Sequence, residues 1–226
     1  MGAVNRVGAA EHSEAMSAAE RARLEALSAR EEDLARRGFR YVAGLDEAGR
    51  GPLAGPVTAA AVILPRGFRL KRLNDSKKLS PSVREKLALR IREEAVAWAV
   101  GWASVEEIEA LNILEATKTA MRRALDGLSQ APDYLLLDAL TLPGIRNQEG
   151  IVRGDALCAC ISAASVLAKT ARDRCMEELD GEFPLYGFRK HKGYGTRAHV
   201  AAIQEYGPCR VHRMSFLSRI WAPPAG

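Results

Sequence analysis

Two short apolar runs in this chain each end in carboxylates. Tyr41 to Leu45 reads as a buried strand that delivers Asp46 and Glu47, and Tyr134 to Leu137 does the same for Asp138. An ionised carboxylate in such a place costs several kcal/mol unless something pairs it. A divalent cation is one natural partner. Directly after the first pair comes Gly49-Arg50-Gly51. Its glycines let the backbone approach a ligand closely and offer amide donors, while Arg50 brings a planar cation suited to phosphate. Carboxylates for a metal beside donors for a phosphodiester make the layout of a metal-dependent nuclease.

If the two strands are parallel neighbours in one sheet, both acids emerge at the same end. Asp155 can close the group from the start of a long helix expected from Ala156 to about Leu179, although as an N-cap it would only satisfy orphan amides. Asp155, Ser162, Ser165, Lys169 and Asp173 fall on one side of that helix, as an active-site wall requires; a solvated face gives the same pattern. Carboxylates that converge raise one another's pKa, and divalent ions relieve the repulsion. An all-oxygen set without a His/Cys group favours Mg²⁺ or Mn²⁺ over zinc.

A second unit runs from Tyr186 to Arg197 and interleaves Lys, Arg and His with Phe188 and Tyr194. Basic side chains neutralise phosphates and aromatics stack on sugars or bases, although a solvated surface loop can have the same composition. Lys77, Lys78, His212 and Arg213 are further candidates for phosphate contact. Three rival readings fit less well. The glycines after Asp46 have the wrong spacing for a dinucleotide loop, and Pro52 breaks the helix such a loop needs. Ser165 with Lys169 lacks the third partner of a hydrolase dyad. A non-enzymatic nucleic-acid binder leaves the acids at the strand ends unexplained. Another two-metal nuclease or resolvase on the same fold is the alternative that stays open.

The elements that must position these groups follow from periodicity. Ser13 to Arg37 predicts an exposed helix, with Leu24, Leu27 and Leu34 at helical spacing. Phe39–Leu45, Val57–Leu64 and Ala95–Ala103 predict strands, Ser80-Pro81 opens a helix to about Glu94, and Ile113 to Leu128 predicts another helix. Ile151 to Arg153 reads as a short strand and Arg197 to Tyr206 as a helix. This mixture implies an α/β domain with a mixed sheet. The net charge of +5 is compatible with a polyanionic partner. The four cysteines show no C-x-x-C spacing and read as reduced core residues. A charged N-terminus without an apolar h-region and the absence of a membrane-length apolar run predict a soluble, cytoplasmic protein. The lack of a long exposed apolar seam predicts a monomer.

Asp46-Glu47-Ala48-Gly49-Arg50-Gly51 resembles the signature of the type 2 ribonuclease H family, specifically bacterial ribonucleases HII. Asn74 to Leu79, Gly154-Asp155, Ala163 to Lys169, Arg172-Asp173 and His191-Lys192-Gly193-Tyr194 extend the resemblance from about Tyr41 to Phe216. It implies a ribonuclease H-like fold, with a central mixed sheet flanked by helices and a helical C-terminal part. Residues 39–221 would form the catalytic domain, 1–38 an N-terminal extension (disordered, then helical) and 222–226 a loose tail. By resemblance Asp46, Glu47, Asp138 and Asp155 are the metal-binding catalytic carboxylates, with Asp173 a lesser metal candidate. Gly49, Arg50 and Gly51 recognise the ribonucleotide 2′-hydroxyl together with Tyr194, which packs on the next nucleotide; Lys192, Ser165 and Lys169 are further substrate-side candidates. This sequence departs from the family pattern at Asp138-Ala139-Leu140, where many members have Asp-Gly. The implied reaction is hydrolysis 5′ of a ribonucleotide, in RNA–DNA hybrids or singly embedded in duplex DNA, for ribonucleotide removal.

Overall fold

The computed structural model describes residues 16–74, 76 and 79–221. The expected loose N-terminal residues, Lys77, Lys78 and the tail after Trp221 lie outside the described residues. Helix α1 (Ala18–Arg36) starts at Ser17, whose hydroxyl accepts the Glu20 N–H at 3.2 Å. Its Leu24, Leu27 and Leu34 are buried against the core, so lifting the helix off would expose three leucines, at roughly 1.5–3 kcal/mol each.

Strands β1 (Val42–Ala48), β2 (Val57–Ile63), β3 (Ala97–Ala103), β4 (Tyr134–Asp138) and β5 (Gln148–Ile151) form one sheet in the order β3-β2-β1-β4-β5. β1 pairs antiparallel with β2 and β2 with β3, whereas β1–β4 and β4–β5 are parallel. The expected mixed sheet and the parallel pairing of the two acid-bearing strands are both present. β5 lies at 148–151, earlier than the expected 151–153.

Strand periodicity divides the core into two layers. Ala43, Leu45, Ala59, Ala61, Ile63, Leu135 and Leu137 face α3 (Val105–Leu111) and α4 (Ile113–Asp126), meeting Ile108, Ala116, Ala120 and Met121. On the other face Ala60 and Val62 meet Ala163, Ala164 and Leu167 of α6 (Ala159–Glu182), with α1 and α2 (Pro81–Glu94) outside it. α6 lies so close to β1 that a methyl group on Gly44 would sit 2.1 Å from the Cys160 carbonyl carbon. That close approach requires glycine there.

The expected single helix from Ala156 onward is broken. Cys158, with φ −130° and ψ 132°, separates a four-residue helix α5 (Gly154–Leu157) from α6. Asp155 is therefore not on the long helix and does not share a stripe with Ser162, Ser165, Lys169 and Asp173. Nor is that stripe a solvated face, since Ser162 and Ser165 are buried. After α6 come a 3₁₀ turn (Pro184–Tyr186), α7 (Phe188–His191), α8 (Arg197–Tyr206) and α9 (Met214–Leu217). They enclose a separate apolar cluster of Leu53, Met176, Tyr186, Phe188, Ile203, Val211 and Leu217. This is the helical C-terminal part.

Candidate active site

Register and alternation bring two of the acids together. Leu45 of β1 pairs with Leu137 of β4, so Asp46 and Asp138 are the next step along neighbouring parallel strands. Both share the parity of Gly44 and Leu136, the residues that face α6. α5 then supplies Asp155: the Gly154 N–H donates to Asp138 Oδ1 at 2.7 Å and ties the start of α5 to the end of β4. One carboxylate oxygen from each of Asp46, Asp138 and Asp155 lies within 4.8 Å of the others. Glu47 has the opposite parity and is not in this group. It is paired with Arg50 at 3.3 Å, beside the cluster.

Asp46 and Asp155 are buried and Asp138 is half-buried. Burial, then the neighbouring Glu47 and Asp138 charges, hold the Asp46 carboxyl well above the usual carboxylate range. Hydrogen bonds from Ser165 and the Glu47 N–H (2.7 Å) oppose that shift. Three crowded, desolvated carboxylates with only oxygen donors suit a hard divalent cation.

The α6 residues form the wall behind the acids. Ser165 Oγ lies 2.8 Å from Ser76 Oγ, both buried, so Ser76 is pinned to the helix that carries Asp46's partner. Asp173 binds Arg84 at 2.9 Å and Lys169 at 2.6 Å, standing apart from the three-carboxylate group. Lys169 Nζ in turn lies 5.9 Å from the centre of the Tyr194 ring. Lys192 is paired with Glu177 at 2.6 Å.

The Gly49–Gly51 loop and Tyr194 are neighbours. A methyl group on Gly51 would lie 3.9 Å from Tyr194 Cε1, and the Tyr194 ring is half-exposed. Two buried arginines hold these segments. Arg172 donates to Pro56 O (3.0 Å), Ala54 O (3.1 Å) and Lys192 O (3.0 Å). Arg213 donates to Gly49 O (2.7 Å), Arg50 O (3.0 Å), Gly55 O (2.7 Å) and Pro56 O (3.1 Å). Arg213 and His212 are thus buried bracing groups and not the surface phosphate contacts their sequence position suggested. Burial lowers the pKa of Arg213 to about 9. The bracing role went unread because Arg172 sits in Ala-Arg-Asp-Arg, indistinguishable from a helix surface.

Below Tyr194, His199 and His212 form one hydrogen-bonded chain whose tautomers are fixed. His199 Nδ1 faces the Tyr194 carbonyl at 3.0 Å and must donate to it. Its Nε2 therefore accepts from His212 Nε2 at 3.0 Å, leaving His212 Nδ1 to accept the Cys209 N–H at 2.9 Å. His191 stacks on His199 with ring centres 4.4 Å apart. Burial pushes His199 and His212 down to about 4, so both are neutral at physiological pH.

A five-stranded mixed sheet carrying acids on adjacent parallel strand ends defines a ribonuclease H-like α/β protein. Solved structures have a similar fold: ribonuclease H2 from Pyrococcus horikoshii OT3 (TM-score 0.62, 26% identity, 77% of this chain and 93% of that one) and the structure of the PCNA:RNase HII complex from Archaeoglobus fulgidus (TM-score 0.64, 27% identity, 77% and 93%). Residues 43–219 match the family model for ribonuclease HII. Ribonuclease HII of Moorella thermoacetica is 55% identical over 201 residues, covering 88% of this chain and 98% of that protein. The Desulfitobacterium hafniense (strain DSM 10664 / DCB-2) enzyme is 56% identical over 195 residues, covering 86% and 75%. The chain belongs to the ribonuclease HII family and is a ribonuclease H hydrolase. Among the described residues no helix is long and apolar enough to cross a membrane.

Proposed function

We propose that this enzyme cuts the phosphodiester on the 5′ side of a ribonucleotide, both in RNA–DNA hybrids and at single ribonucleotides within duplex DNA, leaving 3′-hydroxyl and 5′-phosphate ends. The observation that carries the reading is the convergence of Asp46, Asp138 and Asp155 within 4.8 Å, with the Gly49–Gly51 loop following the first of them. Asp46, Asp138 and Asp155, with Glu47 beside them, would hold two Mg²⁺ or Mn²⁺ ions. Such ions, when bound, activate water and stabilise the leaving oxygen of an in-line displacement.

The chain's own residues do the rest. Asp46 and Asp138 are fixed by strand register, so the ligand set is organised before substrate arrives. Arg50, paired with Glu47 at 3.3 Å, is placed to exchange that partner for a phosphate oxygen. Tyr194 offers a half-exposed face to the sugar of the adjoining nucleotide, and the loop backbone offers amides to the 2′-hydroxyl, the group that distinguishes RNA from DNA. The biological role that follows is ribonucleotide removal from DNA in the cytoplasm.

The test is cleavage of a DNA duplex with one embedded ribonucleotide, beside an all-DNA duplex, in Mg²⁺, Mn²⁺ or chelator. Metal-dependent incision only 5′ of the ribonucleotide is expected. Incision of both duplexes would remove the specificity, and binding without incision under every condition would remove the catalytic reading.

A further inference from the structure

We infer that Arg213, supported by Arg172, is a positioning residue for ribonucleotide recognition: it captures the Gly49 and Arg50 carbonyls from inside and thereby presents the Arg50 and Gly51 amides to the substrate. In a trans peptide the C=O and the following N–H point in opposite directions. The Gly49 carbonyl belongs to the same peptide unit as the Arg50 N–H, and the Arg50 carbonyl to that of the Gly51 N–H. Arg213 binds both carbonyls, at 2.7 and 3.0 Å, so both N–H groups are turned away from the guanidinium. Among the described residues neither amide finds a backbone acceptor, whereas the flanking Leu53 and Gly55 amides do, on Gly193 O and Val211 O, both at 2.8 Å.

The loop is locked from a second side. Gly49 has φ +100°, and a methyl group there would lie 2.1 Å from Arg172 Nε. Arg172 also binds Lys192 O, two residues before Tyr194, so one guanidinium ties Ala54 and Pro56, just after the reading loop, to the segment that carries the aromatic ring. Among the described residues neither guanidinium hydrogen-bonds a carboxylate; their donors go to backbone carbonyls, and Asp173 and Glu109 act on Arg172 and Arg213 only through space. Two cations held by backbone carbonyls thus lie under the surface where a polyanion would bind, adding attraction to geometry.

This inference rests on the proposed ribonucleotide reading, and its test separates the two. The full-length enzyme with Mg²⁺ is assayed for kcat/KM on the single-ribonucleotide duplex and for inhibition by an all-DNA duplex, as wild type and Arg213→Lys, which keeps the charge but not the fork. Loss of two directed donors is expected to lower kcat/KM about tenfold or more, with the all-DNA inhibition constant held within about twofold. A folded Arg213→Lys with unchanged kcat/KM, or with both quantities shifted in parallel, overturns the inference. A wild type that does not prefer the ribonucleotide overturns the functional reading instead. Should the variant not fold, amide exchange in the wild type decides. Arg50 and Gly51 are expected to exchange fast in the free protein and slowly with the ribonucleotide duplex, while Leu53 and Gly55 stay protected; protection of Arg50 and Gly51 in the free protein contradicts it.

Discussion

Asp46 and Asp138 occupy adjacent positions on parallel strands, one step beyond the paired Leu45 and Leu137, and face the same helix. Neither can move without disturbing the sheet. Asp138→Asn keeps the shape and the Gly154 N–H contact to an oxygen while removing the charge. It is expected to fold and to bind substrate while kcat falls at least about a hundredfold. Circular dichroism with single-turnover kinetics checks this, and retained turnover would take Asp138 out of the site.

Glu47 follows Asp46 directly but has the opposite strand parity, and its carboxylate is held by Arg50 at 3.3 Å. Divalent-ion affinity should therefore depend more on Asp46 than on Glu47. Calorimetric titration with Mn²⁺ is expected to show a larger loss in Asp46→Asn than in Glu47→Gln. The reverse order would place Glu47 at the centre of the ligand set.

Gly49 and Gly51 are not equivalent. At Gly49 the positive φ and the Arg172 side chain oppose any Cβ, so Gly49→Ala should cost on the order of 1–3 kcal/mol. At Gly51 there is room, with Tyr194 Cε1 3.9 Å from the added methyl. Gly51→Ala is expected to melt like wild type but to discriminate poorly between ribonucleotide and DNA. Thermal melts and cleavage ratios on the two variants separate the structural glycine from the reading one.

The histidine chain makes the Tyr194 region acid-sensitive. His199 and His212 have folded pKa values of about 4, below the unfolded 6.5, so between these limits the unfolded state binds more protons. Their neutral chain contributes its full stability above about pH 6.5 and loses it as pH falls through about 4. Protonating His199 sets two donors against each other at its 3.0 Å contact with His212, and protonating His212 does so at its 2.9 Å contact with the Cys209 N–H. Urea melts from pH 7 to 4 are expected to show a progressive loss that His212→Gln reduces; an unchanged pH profile in that variant would show that the chain carries no such load.

Much of the site was legible in the sequence because it depends on local pattern. Apolar runs that stop at an acid announced Asp46 and Asp138, and a parallel pairing brought the two acids together. The break at Cys158 was not legible, since Ala-Leu-Cys-Ala contains no Gly or Pro and reads as continuous helix. The expected helical stripe failed at Asp155 for that reason, although β4 still delivers Asp155 to the cluster through Gly154. Arg172 and Arg213 were opaque for a different reason. Their burial is compensated by carbonyls of residues 49–56, a match between segments more than a hundred residues apart that no local pattern encodes.

The most direct measurement is anomalous diffraction from crystals grown with Mn²⁺. A peak bound by the Asp46, Asp138 and Asp155 carboxylates at roughly 2.1 Å, lost in Asp138→Asn crystals, is the predicted result. Manganese bound elsewhere, with these three carboxylates hydrogen-bonded only to water, would contradict the assignment of this cluster as the catalytic metal centre.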